Sequence, residues 1–408
     1  MIPLSNTASE SCPPAPGGLR PDPAARLRLR GRELLPIVQG GMGVGVSAHR
    51  LAGTVAGEGG LGTLSSVDLR RHYPDLMLAT GRTRDKAAID AANLVALDRE
   101  VRAARELAGG RGAIAVNIMR AVSEYAPYVR QACASGADAV VVGAGLPLDL
   151  PELVADYPDV ALIPILSEAR AVGLVLKRWM RKGRLPDAIV IEHPRRAGGH
   201  LGAARIEELE DPRFDFETVV PGVLALFDEL GIAPGRIPVI VAGGINSPTK
   251  VAQALALGAS GVQVGTAFAV TRECDAHPEF KRVLAEARPE DIVTFMSVAG
   301  LPARAVRTPW LDSYLEREAS RMTRVRERPC AMAFDCLAHC GLRDGLPKTG
   351  QFCIDQHLAA ALHGDLKRGL FFRGSEPAPF GAAIRPVRDL FDLLLARGAA
   401  GQSLPVAA

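Results

Sequence analysis

The stretch Ile237 to Val270, IPVIVAGGINSPTKVAQALALGASGVQVGTAFAV, contains two buried-strand patterns, one running into Gly243-Gly244 and the other into Gly265-Thr266. One short helical stretch separates them. Such endings suit the loops after the last two strands of a (β/α)8 barrel, where backbone N–H groups converge on the phosphate of a ligand. Glycine fits there because a side chain would hold the phosphate oxygens away from those amides. The pair is read as a phosphate cradle.

Upstream, from Leu35 onward, short β-like runs alternate with helical stretches, the pattern of parallel βα units. Eight runs qualify: Pro36–Gly40, Leu61–Leu64, Ala113–Asn117, Ala139–Gly143, Ala161–Ile165, Ala188–Ile191, Pro238–Ala242 and Gly261–Val264. Eight strands close a barrel, so the expected fold class is α/β, a TIM (β/α)8 barrel. Residues 1–30, broken by Pro13-Pro14, Gly17-Gly18 and Pro21, read as a flexible tail. Residues 31–275 form the barrel, and 276–408 an extension with a cysteine-rich segment and an amphipathic helix over Pro386–Ala396. Two connections are long. Ser65 to Gly112 holds an exposed loop at His72-Tyr73-Pro74 and a helix around Asp85–Leu107, and His193 to Arg236 follows the sixth strand. Long loops at the carboxyl end of a barrel build its site or lid.

The composition agrees with that architecture. Apolar residues make up 48% of 408, with 42 glycines and only 5% aromatics, which suits close-packed α/β structure better than a sandwich. A formal charge of +3 argues against a dedicated nucleic-acid surface, and the basic run Lys177–Arg184 reads as a solvated helix end. No apolar run approaches the ~20 residues that span a bilayer, and the amino terminus lacks a hydrophobic signal core. The expectation is a cytoplasmic protein with a small-molecule substrate, no membrane or nucleic-acid partner, and room for a homodimer.

Further strand endings carry the candidate chemistry. Gln39-Gly40-Gly41-Met42-Gly43 closes the first strand with backbone bare enough to lie against a flat ligand, or else forms a tight βα turn. Asn117 ends the third strand, where its amide either hydrogen-bonds a cofactor ring or caps the loop, and Gly143-Ala144-Gly145 ends the fourth. His200 lies in Ala197-Gly198-Gly199-His200-Leu201-Gly202, flanked by glycines at the catalytic end of the barrel. An imidazole there is the natural proton-transfer group, with Glu192 and His193 as alternatives and a surface histidine as the plainer reading.

These motifs, with Ala242-Gly243-Gly244-Ile245 and Gln263-Val264-Gly265-Thr266-Ala267-Phe268, resemble the nitronate monooxygenase (2-nitropropane dioxygenase) family, itself similar to FMN-dependent enoyl-acyl-carrier-protein reductases. The resemblance covers about Leu35 to Val270. It implies an FMN-binding TIM barrel, phosphate at Gly243, Gly244, Gly265 and Thr266, and His200 as the catalytic residue. The expected cofactor contacts are completed by Gln39, Gly40, Gly41, Met42, Asn117, Gly143, Gly198 and Gly199. It implies oxidation of alkyl nitronates by O2 to a carbonyl compound and nitrite; the alternatives are an NAD(P)H-dependent enoyl-thioester reductase and a flavin or metal electron-transfer or redox-sensing module. Three departures stand out, the first being a tail beyond residue 280 much longer than in the smallest members. Arg196 replaces the acidic residue that members often place four before the histidine, and the lysine that some carry after the fifth strand is missing from Ser167-Glu168-Ala169-Arg170.

Cys330, Cys336, Cys340 and Cys353 are spaced C-x5-C-x3-C-x12-C, with His339 and His357 among them. Four thiolates in one segment could hold an iron–sulfur cluster or zinc; free structural thiols are the equal alternative, and disulfides suit a cytoplasmic chain least.

Overall fold

The computed structural model describes residues 19–397. Its first element is a hairpin, β1 (Leu27–Leu29) and β2 (Arg32–Leu34), turning through Arg30 and Gly31, both at positive φ as a two-residue reverse turn requires. Leu27, Leu29 and Leu34 pack against Val38, Leu61 and Ala113 of the barrel interior, so the hairpin plugs the floor opposite the strand carboxyl ends. The expected tail is therefore too long. Residues 27–30 belong to an ordered element, while 1–18 lie outside the described residues.

Eight parallel strands close the barrel: β3 (Ile37–Gln39), β4 (Leu61–Ser65), β5 (Ala113–Met119), β6 (Ala139–Gly143), β7 (Ala161–Leu166), β8 (Ile189–Glu192), then, after the two-residue β9 (Gly199–His200), β10 (Val239–Ala242) and β11 (Gly261–Val264). The ring order is β10-β11-β3-β4-β5-β6-β7-β8, the TIM barrel expected from the sequence, with each strand within two residues of its expected end. Alternation sorts the side chains. Val38, Ala115, Val141, Ile163, Val190 and Ile240 fill the interior, while Ile37, Val116, Val142, Leu162, Ile191 and Val241 face the helical layer.

Both long connections are built structure. In the first, His72, Tyr73 and Pro74 are not an exposed loop: they lead from a 3-10 turn (Leu69–His72) into the helix Pro74–Thr80, with His72 Nε2 2.9 Å from the Gly45 carbonyl and Tyr73 Oη donating to Glu100 at 2.9 Å. The helix Lys86–Ala108 follows, capped by Asp85, whose carboxylate accepts the Ala87 and Ala88 amides. The second connection carries β9, which joins β12 (Ile292–Met296) and β13 (Pro302–Val306) in a three-stranded antiparallel sheet of order β12-β13-β9. Ala303 pairs with His200 and Arg304 with Gly199. The extension thus hangs on the loop that bears the histidine. Farther on, Val387–Leu394 packs on the barrel helices, burying Val387, Leu390, Phe391 and Leu394. No helix among the described residues is long and apolar enough to cross a membrane.

Candidate active site

A cavity of about 610 Å3 opens at the carboxyl ends of the barrel strands. Gly40, Gly41, Met42, Asn117, Gly143, Gly198, Gly199, His200, Gly243, Gly244, Gly265 and Thr266 all line it. Gln39 does not. It follows the inward Val38 and so turns away from the interior, buried, accepting the Thr63 amide at 2.8 Å and donating to the Gly40 carbonyl. Its role is to hold β3 to β4, and its place among the ligand contacts is corrected accordingly.

The cradle is bare in the way that an anion needs. Gly243 and Gly244 sit at φ +102° and +79°, where a side chain is strained, and a Cβ on Gly244 would lie 2.7 Å from Arg196 Cδ. The amides of Gly243, Gly244 and Gly265 have no acceptor among the described residues. Thr266 Oγ1 accepts the Gly374 amide at 3.0 Å, which leaves its hydroxyl hydrogen to donate. Arg196, the departure from the family pattern, lies over Gly244 with no ion pair or side-chain hydrogen bond among the described residues. Unpaired amides, a hydroxyl and a cation converge on one spot.

The floor is polar in a different way. Glu192, Ala242 and Gln263 are register partners across β8, β10 and β11, and Gln263 in turn partners Val38. Ala242 and Val38 face the interior, so Glu192 and Gln263 do too, as does Asn117, two residues beyond Ala115. All three line the cavity, and none of their side chains has a hydrogen-bond partner among the described residues. Gln263 is buried and Asn117 and Glu192 are half-buried, and polar groups held inside a fold normally find partners. A ring of three without any therefore fits a flat ligand with polar edges. Gly41 lies hard against this floor, where a Cβ would come 2.3 Å from Asn117 Cβ.

His200 stands at the cavity wall on β9. Its Nε2 is 2.9 Å from Ser297 Oγ, and its ring meets Phe372 edge-on at 5.6 Å. Ser297 Oγ already accepts the Ala299 amide at 3.1 Å, so its own hydrogen can point to the imidazole. Burial pushes His200 down to about 4, leaving it neutral at physiological pH. The alternative His193 turns outward: it is buried against Phe216, with Nε2 3.2 Å from Asp215 Oδ1, and does not line the cavity. Glu168 and Arg213 form an ion pair of 3.5 Å on the rim, in the region where the lysine is missing.

Beyond the floor the cavity runs under the extension, against Leu337, Ile354, Leu358, Leu370 and Phe372. Cys336 lines this apolar lobe, and all four cysteines of the segment are free thiols. The metal assignment to Cys330, Cys336, Cys340 and Cys353 is corrected: among the described residues no group of three or more His, Cys, Asp or Glu side chains is placed to hold a metal ion. Burial pushes the Cys336 thiol well up and Cys353 to about 12, so these groups stay protonated and pack as small apolar side chains. His357 is engaged as well, stacked on Trp310 at 3.9 Å with Nδ1 2.7 Å from the Arg368 carbonyl.

Comparison with known proteins gives the family and the fold. The family described as nitronate monooxygenase matches residues 32–384, nearly all of the described chain. The chain belongs to the nitronate monooxygenase family. As a member it is an enzyme, an oxidoreductase. A "probable nitronate monooxygenase" of Bacillus subtilis is 35% identical over 124 residues, 30% of this chain and 33% of that protein. The match thus spans about a third of that relative's length. A (3aS,4S,5R,7aS)-5-hydroxy-7a-methyl-1-oxo-octahydro-1H-indene-4-carboxyl-CoA dehydrogenase of Mycobacterium tuberculosis is 29% identical over 293 residues, 70% of this chain and 68% of that protein. In fold, this nitronate monooxygenase family member is similar to FabK from Thermotoga maritima, with a TM-score of 0.61 at 24% identity over 88% of this chain and 91% of that one. It is similar as well to a nitroalkane oxidase from Streptomyces ansochromogenes, with a TM-score of 0.59 at 22% identity over 89% and 95%.

Proposed function

We propose that the chain is an FMN-dependent enzyme that oxidises alkyl nitronates with O2 to a carbonyl compound and nitrite. The cofactor reading rests on fit. The free amides of Gly243, Gly244 and Gly265, the Thr266 hydroxyl and the Arg196 cation suit the phosphate, and the partnerless Asn117 and Gln263 suit the polar edge of the ring, beside Gly40, Gly41, Met42 and Gly143. Bound there, FMN supplies the electron transfer between substrate and oxygen.

The observation that carries the substrate reading is the nitronate monooxygenase family match over residues 32–384, and a neutral His200 fits it. An imidazole held down to about 4 is a weak base and carries no proton to give at pH 7. A nitronate needs neither service, since it arrives already deprotonated. The work left for His200 is to hydrogen-bond and orient the anion, with Ser297 fixing the ring and Gly198 and Gly199 keeping the approach open. In this reading residues 31–275 carry the cofactor, the extension from 276 onward caps the substrate, and the enzyme works in the cytoplasm on a small molecule.

A second reading, oxidoreduction on an acyl thioester, is favoured by the apolar lobe under Leu337, Ile354 and Leu358 and by the CoA dehydrogenase that aligns over most of its own length. Anaerobic mixing of the purified protein with propionate 3-nitronate or with NADPH separates the two. Bleaching of a flavin spectrum by nitronate supports the first; a flavin that NADPH reduces and nitronate leaves oxidised defeats it.

A further inference from the structure

Glu192 is the one member of the polar floor that carries a carboxyl group, and nothing in the fold explains it. Alternation along β8 turns it inward two residues beyond Val190, and the register places it beside Ala242 and one strand from Gln263. It has no hydrogen bond and no ion pair among the described residues. Half-buried on the cavity lining, the carboxyl faces ligand space and no partner supplied by the fold.

We propose that Glu192 is a cofactor-contacting residue that hydrogen-bonds the ring edge of the flavin and sets its reduction potential through its own charge. This rests on the FMN reading above. The potential follows because a negative charge beside the ring opposes the arrival of electrons, whereas a neutral acid does not. Burial pushes Glu192 up to about 7, so its charge changes within the working range of pH.

One other carboxyl of the cavity, Asp355, is also pushed up by burial and Asp68, but it is paired with Arg71 at 2.8 Å and is unchanged in the variants compared below, so their difference reports Glu192. The flanking strands present Ile165 and Ala242, and across the mouth stand the amides Asn117 and Gln263. The charged groups of the rim, Arg196 excepted, are engaged with one another or with the backbone. Arg213 takes Glu168 and Glu208, and Lys250 takes Glu376. His193 bonds Asp215, Arg373 bonds the Ala287 and Glu376 carbonyls, and Arg196 lies over Gly244. Of the groups that face the cavity, His200 is already neutral throughout the range concerned.

The test is the FMN reduction potential of the wild-type protein, Glu192→Gln and Glu192→Asp, measured by spectroelectrochemistry from pH 6 to pH 9. The Gln variant is expected to match the wild type at the acid end and to lie above it at the alkaline end, with Asp restoring the pH-dependent gap. Equal potentials throughout, or an offset that does not change with pH, overturn the proposal. A Gln variant that folds but no longer retains FMN, while the Asp variant retains it, supports the contact. Wild-type protein that binds no FMN overturns the cofactor reading itself, an outcome distinct from a flavin that ignores Glu192.

Discussion

His200 Nε2 lies 2.9 Å from Ser297 Oγ, a contact between residues 97 positions apart that ties the histidine loop to the β12–β13 hairpin. The same hairpin pairs its backbone with β9 through Ala303 and Arg304, so the imidazole is fixed by its main chain and by its ring at once. Replacing Ser297 with Ala removes the second restraint only. Turnover is expected to fall roughly 10- to 100-fold through loss of orientation, with FMN still bound. Steady-state kinetics beside flavin absorbance check it, and a variant that loses flavin in proportion to activity would speak for a merely structural serine.

The pH dependence of His200 follows from its burial. Its folded-state value, about 4, lies below the ordinary 6.5, so the unfolded chain takes up a proton that the folded one refuses. The stabilising contribution is complete above 6.5 and is lost as pH falls toward 4. His200→Asn is expected to flatten that limb in urea midpoints measured from pH 4 to pH 7, and to lower turnover about 100-fold through loss of the contact that orients the anion. In the wild type, activity on nitronate should show no break near 6.5 arising from this residue.

Gly243 tests the cradle. At φ +102°, with a Cβ position 3.0 Å from the His193 carbonyl oxygen, alanine forces the backbone to shift. Gly243→Ala is expected to cost about 1–3 kcal/mol of stability and to weaken FMN binding at least ~10-fold, because the amide no longer points into the site. Fluorescence titration with FMN and thermal melting measure the two effects separately.

The site was unevenly legible. Period-two alternation and glycine at the strand ends expose the barrel and the cradle, because both are local properties of the chain. The same alternation, applied from Val190 and from Val38, turns Glu192 inward and Gln39 outward; reading Gln39 by its motif alone missed this. The LRLRGREL hairpin was hidden by the Pro- and Gly-rich residues before it, although Leu27, Leu29 and Leu34 alternate with charged ones. Ser297 and Phe372 carry no local mark, since what places them against His200 is β-pairing across about a hundred residues or more. The cysteine spacing suggested ligands, but spacing alone does not set how four thiols point, and here they are half-buried and free.

Arg71 offers a last test, of how the extension is held to the barrel. It pairs with Asp68, in the connection after β4, and with Asp355, on the helix Ile354–Leu362, at 2.8 Å. Both carboxylates are fully or almost fully buried, at 0% and 1% side-chain exposure; Asp68 also has Arg70 at 2.7 Å, so Arg71 is above all the charge that makes the burial of Asp355 tolerable. Burial and the neighbouring Asp68 push Asp355 upward against the pull of Arg71. Arg71→Met leaves Asp68 its other partner, Arg70 at 2.7 Å, but strands the buried Asp355 beside it, and is expected to cost about 3–5 kcal/mol at pH 8. Asp355→Asn keeps the Asp68–Arg71 pair and removes the like-charge neighbour, so its cost should be smaller, about 1 kcal/mol. Because Asp355 is raised in the folded state, its carboxyl favours folding most at low pH, and that contribution fades as pH rises through its folded value. The Asn variant should therefore lose least, relative to wild type, on the alkaline side. Urea denaturation of both variants at pH 5 and pH 8 reads this out, and an Asp355→Asn penalty as large as that of Arg71→Met would show the carboxylate, not the arginine, to be the anchor.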